Sequence, residues 1–102
     1  MSIAPSPTVL VLEPDARLAR LVARYLAGHG IATRLANGRV ELQVALMLAP
    51  YTCVIAGPAF DDDEVVADLC LDAGATLLVA PRFSGPELLQ RIETIRRVHS
   101  EP

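Results

Sequence analysis

Two acidic residues follow the apolar run near the start of the chain. The run is Val9–Leu12, and Glu13 and Asp15 come directly after it, on either side of Pro14. Carboxylate oxygens in such a place are able to hold a hard divalent cation such as Mg²⁺. An Asp just before a helix also accepts hydrogen bonds from the N–H groups of the first turn. Two carboxylates without a third make a poor cation cage, so we favour the capping role for Asp15.

A second acidic cluster occupies residues 61–64, ahead of another apolar stripe. Consecutive residues on a helix point in different directions, so these carboxylates are not expected to converge on one metal ion. We predict that they form the first turn of a helix and face the positive end of its dipole. His29 and His99 have no Cys, His or Ser partner nearby in the sequence, which favours surface histidines over metal ligands or phosphocarriers.

The remaining reactive groups do not form a recognisable catalytic pattern. Cys53 and Cys70 lie in apolar segments without a CxxC spacing, so we predict buried free thiols, not a disulfide or a metal pair. The sequence contains no Gly-rich phosphate loop, nucleophile elbow or acid–base pair. It therefore predicts neither an enzyme nor a bound cofactor or metal.

Composition narrows the class of protein further. The chain has 102 residues, of which 52% are hydrophobic, and its net charge is −3. Its mean hydropathy of +0.38 is high for one small domain, so an apolar surface for a partner is expected. The nine basic residues form no tract, which argues against nucleic-acid binding. No run is long enough to cross a membrane and the start lacks a signal-peptide pattern, so we expect a cytoplasmic protein.

Four apolar runs alternate with four helical patterns along residues 8–98. The predicted strands cover residues 9–12, 31–36, 52–56 and 75–80, and a helix follows each one. This alternation predicts an α/β three-layer sandwich with a parallel sheet. Right-handed crossovers then give the strand order 2-1-3-4, with two helices on each face. Residues 1–7 are predicted to be a flexible arm and residues 99–102 a tail.

Spacing also predicts which side of each helix is buried and where helices begin. The predicted buried face of the first helix consists of Leu18, Leu21, Val22, Tyr25 and Leu26. The second helix, over residues 39–49, has the stripe Val40, Val44 and Leu48, which Leu42, Leu46 and Met47 widen. Ser84 and Glu87 have the spacing of a capping box at the last helix, and Gly74 is placed to end the third.

Three segments in this order resemble the receiver domain of two-component response regulators, which has a flavodoxin-like fold. VLVLEPDARLARLVARYLAGHGI resembles its first strand, acidic turn and first helix. ANGRVELQVALMLAPYTCVI resembles its second helix and third strand, and DAGATLLVAPRFSGPELLQRI is similar to its ending. The resemblance covers nearly the whole chain and implies a signalling module.

The departures from that family concern its phosphorylation site. Receivers hold Mg²⁺ with two adjacent acidic residues after the first strand, but here Pro14 follows Glu13. The phospho-accepting Asp normally ends the third strand, where this chain has Gly57. A Lys normally precedes the Pro after the last strand, whereas here Arg82 follows Pro81. The chain is also about one βα unit short, and GPAFDDDEVVADLCLDAGA equally resembles the family's fourth strand and fourth helix. In that alignment the acceptor is missing altogether, and Gly57 stands where the family has Thr or Ser. Both alignments imply a shortened, degenerate receiver without a phospho-acceptor.

The resulting hypothesis is a phosphorylation-independent pseudo-receiver that regulates by binding another protein. The resemblance places the interaction surface within residues 64–98, where Leu71, Arg91 and Arg97 are candidates for exposed contacts. Arg82 is either a solvated charge or a fixed counter-ion for Glu13 and Asp15. The long apolar last strand, at an edge of the sheet, predicts a homodimer.

Two other functional classes remain open. One is a small Mg²⁺-dependent phosphoryl carrier or enzyme that uses Glu13 and Asp15. The other is a structural subunit that is stabilised by self-association, because the loss of a βα unit leaves an edge of the sheet uncovered.

Overall fold

The computed structural model describes residues 8–80 and 84–100, with side chains up to residue 98. Within these residues the elements, in chain order, are β1 (Val9–Leu12), α1 (Ala16–Ala27), β2 (Thr33–Ala36), α2 (Arg39–Leu48), β3 (Cys53–Ala56), a 3₁₀ turn (Pro58–Phe60), α3 (Glu64–Asp72), β4 (Thr76–Val79) and α4 (Gly85–Ser100). The predicted arm over residues 1–7 lies outside the described residues. Helix α4 runs two residues past the predicted boundary at residue 98.

The four strands form one parallel sheet in the order β2-β1-β3-β4. The order predicted from right-handed crossovers is therefore confirmed. Leu12 pairs in register with Ala36 and Ala56, so β1, β2 and β3 end at the same level. Side chains that follow β1 and β3 consequently lie next to each other at the carboxyl edge. This is the topological switch point of the sheet, where the connections from the two strands leave toward opposite faces.

Alternate residues of the sheet bury against opposite pairs of helices. Leu10 and Leu12 pack with Leu42 of α2 and Val66 of α3 in one cluster. A second cluster, on the other face, comprises Val9, Leu26, Ile31, Cys53, Ile55, Leu78, Leu88 and Ile92. The two central strands are buried along their whole length, as expected for strands covered on both faces. Helices α1 and α4 cover one face and α2 and α3 the other, so the predicted two helices on each face are confirmed.

The predicted core stripe of α2 is wrong. Val40, Val44 and Leu48 are 76%, 48% and 68% exposed, whereas Leu42 and Ala45 are buried. Helix α2 carries apolar residues on nearly every side, so spacing alone does not decide its rotation. Contacts distant in sequence decide it, because the small Ala45 lets the helix approach the sheet closely while Leu42 fills the space beside it.

Helix α1 is also rotated away from the arrangement that its largest apolar residues suggest. Leu21 is 60% exposed, and Leu18 and Tyr25 are 44% and 38% exposed. The buried side of the helix contains Ala19 and Leu26, with Val22 partly buried between them. The predicted face is thus only partly correct, since a small alanine, not the larger leucines, lies against the sheet.

The helix ends follow local chemistry, with one correction. Ser84 and Glu87 exchange hydrogen bonds in the predicted capping box, with Glu87 N–H to Ser84 Oγ at 3.3 Å and Ser84 N–H to Glu87 Oε1 at 3.4 Å. Gly74 follows α3 with a φ of +70°, a conformation that favours glycine. The acidic residues 61–64 do not all lie in the first turn of α3. Only Glu64 is helical, and Asp63 caps the helix.

Candidate functional site

Glu13 is a buried carboxylate at the carboxyl edge of the sheet. Only 8% of the residue is exposed, and its backbone N–H donates to the carbonyl of Ala36. Its Oε2 accepts a hydrogen bond of 2.9 Å from the backbone N–H of Asp15. The side chain therefore turns back over the end of β1 and holds the start of the next turn.

Gly57 lies directly beside this carboxylate. Its N–H donates to the carbonyl of Leu12 at 2.9 Å, which extends the pairing of β1 with β3 by one residue. A Cβ atom built on Gly57 would stand 2.8 Å from Cδ of Glu13 and closer still to Oε1. The backbone at Gly57 is extended, with a φ of −75°, so space and not conformation excludes a side chain here. The Glu13 carboxylate fills the position that a side chain at residue 57 would occupy.

Asp15 caps the helix that follows it. Its Oδ1 accepts hydrogen bonds from the N–H groups of Arg17, at 2.9 Å, and Leu18, at 3.4 Å. The predicted N-cap of the first helix is therefore confirmed. Both predicted acidic residues thus accept hydrogen bonds from backbone N–H groups, and the N–H of Asp15 links the two residues.

The crevice beside Glu13 is mainly apolar. It encloses about 210 Å³ between α1 and the ends of β1, β3 and β4, and its lining includes Val11, Leu18, Val22 and Ile55. Among the residues that the structure describes, no group of three His, Cys, Asp or Glu side chains is placed to hold a metal ion. Arg82, predicted to be either a solvated charge or a counter-ion for Glu13 and Asp15, lies outside the described residues. This site offers one carboxylate in apolar surroundings.

A second polar contact links α2 to α3. Asp63 accepts hydrogen bonds from Nε of Arg39 at 3.0 Å and from Nη2 at 2.6 Å. The other oxygen of Asp63 accepts the N–H of Val66 at 3.1 Å and caps α3. The bonds from Arg39, followed by the bond from Val66, lower the pKa of Asp63 from its usual 3.8. Sequence reasoning missed this pair, because nothing local relates residues that are 24 positions apart.

The two cysteines have no direct part in this site. Cys53 and Cys70 are free and buried, as predicted. Burial raises the pKa of Cys53 to about 12 and that of Cys70 to about 11, which keeps both in the unreactive thiol form near neutral pH.

The predicted interaction residues are all exposed, on elements that flank β4. Leu71 of α3 is 77% exposed, and Arg91 and Arg97 lie exposed on α4, on the opposite face of the sheet. Between α3 and β4 there is a groove of about 420 Å³. It is lined by Phe60, Ala67, Leu77, Val79 and the acidic residues 61–64. An apolar floor with an acidic rim is suited to a partner segment that carries basic and apolar side chains.

Comparison with known proteins finds likeness in structure alone. No protein-family model matches the chain, and no curated protein matches it. Within the described residues, no helix combines the length and the apolar character needed to cross a membrane. A crystal structure of a response regulator from Thermotoga maritima aligns with a TM-score of 0.60 at 19% sequence identity, covering 89% of this chain and 98% of that chain. The chain therefore has the flavodoxin-like α/β fold of that response regulator, as its sequence predicted.

Proposed function

We propose that this chain is a phosphorylation-independent pseudo-receiver, a signalling module that acts by binding another protein. A shared fold alone does not establish a shared activity, so the proposal depends on the chemistry of the site. The observation that carries it is the contact between Glu13 and Gly57. Where the resemblance to receivers implies a phospho-accepting Asp, this chain has a glycine, and a neighbouring carboxylate fills the space beside it.

The geometry disfavours a Mg²⁺-dependent carrier that uses Glu13 and Asp15. A divalent cation would have to compete with backbone N–H donors for oxygens of both carboxylates. Mg²⁺ also demands near-octahedral oxygen geometry, and the surrounding crevice is lined mainly by apolar side chains. A buried carboxylate that closes a turn supports a structural role for Glu13.

The partner surface that we propose lies on α3, β4 and α4. The groove between α3 and β4 supports this location, because an apolar floor next to an acidic rim provides both burial and charge selectivity for a basic, apolar segment. Leu71 on α3, and Arg91 and Arg97 on α4 across the sheet, are exposed and belong to neither buried cluster.

Phosphorylation independence is tested by exposure to acetyl phosphate or beryllofluoride with Mg²⁺. We expect the amide NMR spectrum to remain unchanged and the intact mass to show no phosphoryl adduct, because Gly57 supplies no acceptor. The Glu13→Gln variant serves as the control for residual cation binding by the carboxylate. A stoichiometric, hydroxylamine-labile adduct in the wild type, or Mg²⁺-induced shifts around Glu13 that Glu13→Gln abolishes, would overturn the proposal.

The partner surface is tested with charge variants of the same chain. Proteins retained from cell extract by the wild type should be lost with Leu71→Glu or Arg97→Glu, whereas Arg20→Glu, at an exposed position of α1, should retain them. Retention by all three variants would place the partner surface elsewhere.

A further inference from the structure

The outward side of α2 is apolar, and no element within residues 8–80 and 84–98 covers it. We define the α2 outer surface as Val40, Val44, Met47 and Leu48, all of which are exposed, with Met47 at 79%. The helix is already anchored to the sheet by Leu42 and Ala45. None of the four side chains belongs to either buried cluster, and an apolar group of this kind on one helix marks a contact surface.

The spacing of this surface is symmetric. Val40, Val44 and Leu48 recur every four residues, so Val44 lies midway between two apolar side chains on the same side of the helix. Two copies of α2 that pack antiparallel about a two-fold axis near Val44 would place Val40 of each against Leu48 of the other. In such an isologous contact the same surface serves both copies, and each pairing of Val40 with Leu48 occurs twice.

The shape at the two ends of α2 is complementary in the same arrangement. Near its amino end a groove of about 170 Å³ runs between the helix and β2, lined by Arg34, Leu35, Val40, Glu41 and Val44. Near its carboxyl end, Met47 and Leu48 protrude. Antiparallel packing brings the protruding end of each copy to the groove of the other.

The antiparallel arrangement also brings opposite charges of the two copies together. Arg34 pairs in register with Leu10, which places it on the α2 side of the sheet, at the groove. Within the described part of the chain, the Arg34 side chain has no hydrogen bond or ion pair. The last turn of α2 contains no basic residue to balance the negative end of its dipole. In the antiparallel arrangement, Arg34 of each copy approaches that end of the other copy's helix.

We propose that the α2 outer surface is a homodimer interface whose occupant is the α2 outer surface of a second copy. It is separate from the partner surface on α3, β4 and α4, and it relocates the homodimer that the sequence places at the last strand. Leu78 and Val79 of β4 are buried, so that edge exposes less apolar surface than α2. The contact is smaller than a standard interface of about 20–30 residues per partner, so we expect a dissociation constant of about 10–100 μM.

The test is sedimentation equilibrium over a concentration series of the full chain. Val44→Glu would place two carboxylates opposite each other near the axis, and dimerisation should weaken at least about tenfold. Val65→Glu is the matched control, because Val65 on α3 has the same 48% exposure as Val44. This control should dimerise like the wild type, and circular dichroism should show that both variants are folded.

The two-fold symmetry of the proposed dimer allows a second test, by chemical cross-linking. In a Val44→Cys variant, a short bismaleimide should join the two copies in high yield, because residue 44 lies next to its counterpart. The two native cysteines are buried and do not compete for the reagent. Val65→Cys should give only the background yield.

The outcomes separate this inference from the proposed function. A wild type that remains monomeric at sub-millimolar concentration would overturn the inference and leave the partner surface on α3 unaffected. Loss of the dimer with Val65→Glu but not with Val44→Glu would also overturn it, and would move self-association to the α3 side. Equal cross-linking yields at residues 44 and 65 would likewise contradict the two-fold arrangement.

Discussion

At the scale of single residues, the fit between Glu13 and Gly57 determines what a substitution at the end of β3 will do. The glycine has an ordinary extended backbone, so an alanine meets no conformational penalty there. The obstacle is the Glu13 carboxylate, which a Cβ atom at residue 57 would approach more closely than van der Waals contact allows. The effect of a side chain at position 57 should therefore depend on residue 13.

Gly57→Ala is expected to destabilise the protein by about 1–2 kcal/mol, because Glu13 must leave its position and lose its bond to the Asp15 N–H. In a Glu13→Ala background the same change should be neutral or stabilising by up to about 1 kcal/mol, since alanine restricts the unfolded chain. Urea unfolding of the four variants measures this cycle. An equal cost in both backgrounds would show that the carboxylate is not the obstacle.

Asp63 should make stability depend on pH in the acidic range. Its folded-state pKa lies below the usual 3.8, mainly because of Arg39, so the charged form stabilises the fold. This contribution is complete above about pH 5 and is lost as the pH falls through the lowered pKa. Asp63→Asn should therefore be less stable than the wild type near neutral pH, and the difference should shrink as the pH falls from about 5 toward about 2.

Urea unfolding between these pH values tests the expectation, and asparagine is a suitable replacement because it still caps a helix. Arg39→Gln is the control, since removal of the guanidinium should raise the pKa of Asp63 and shrink the difference. A gap between wild type and Asp63→Asn that stays constant with pH would contradict the assigned role of the charge.

At the scale of elements, the starts of α1 and α4 depend on capping side chains close in sequence. Asp15 accepts two hydrogen bonds from the first turn of α1, and Ser84 and Glu87 form a reciprocal pair at α4. These helix starts follow from local chemistry and tolerate changes elsewhere in the fold.

Asp15→Ala should cost about 1 kcal/mol of folding free energy, because it leaves two N–H groups at the start of α1 without their acceptor. Asp15→Asn keeps an acceptor oxygen and should cost less. Thermal and urea unfolding measure both variants. Equal losses for the alanine and asparagine variants would mean that the Asp15 charge matters, and not the cap.

At the scale of the whole molecule, the sheet separates two apolar layers, and each layer contains one buried cysteine. Cys53 packs in the layer with α1 and α4, and Cys70 in the layer with α2 and α3. A domain of this size is expected to unfold as one cooperative unit. The two layers should therefore open together.

Labelling with a thiol reagent at about pH 8 tests this cooperativity. Burial raises the pKa of both thiols, to about 12 and about 11, so the folded protein should react slowly. Peptide mass spectrometry should show Cys53 and Cys70 labelled at equal rates, with both accelerated by mild denaturant. Faster labelling of Cys70 would indicate that the α2 and α3 layer opens separately.

The order of elements was predictable from the sequence because it depends on interactions between near neighbours. Four apolar runs separated by helical spacing specify the parallel sheet, and the handedness of crossovers then leaves one strand order. Asp15, Gly74 and Ser84 mark helix ends for the same local reason. The sequence also shows directly that the residue at the end of β3, Gly57, has no side chain.

Only the tertiary structure decided how these elements face one another. The rotation of α2, which exposes Val44 and buries Ala45, depends on packing against a sheet formed by distant segments. The bond between Arg39 and Asp63, and the carboxylate of Glu13 beside Gly57, likewise join residues far apart in the chain. Periodicity identifies apolar side chains but does not choose among several apolar faces. That choice is made by which side chains fit when the whole chain closes around its core.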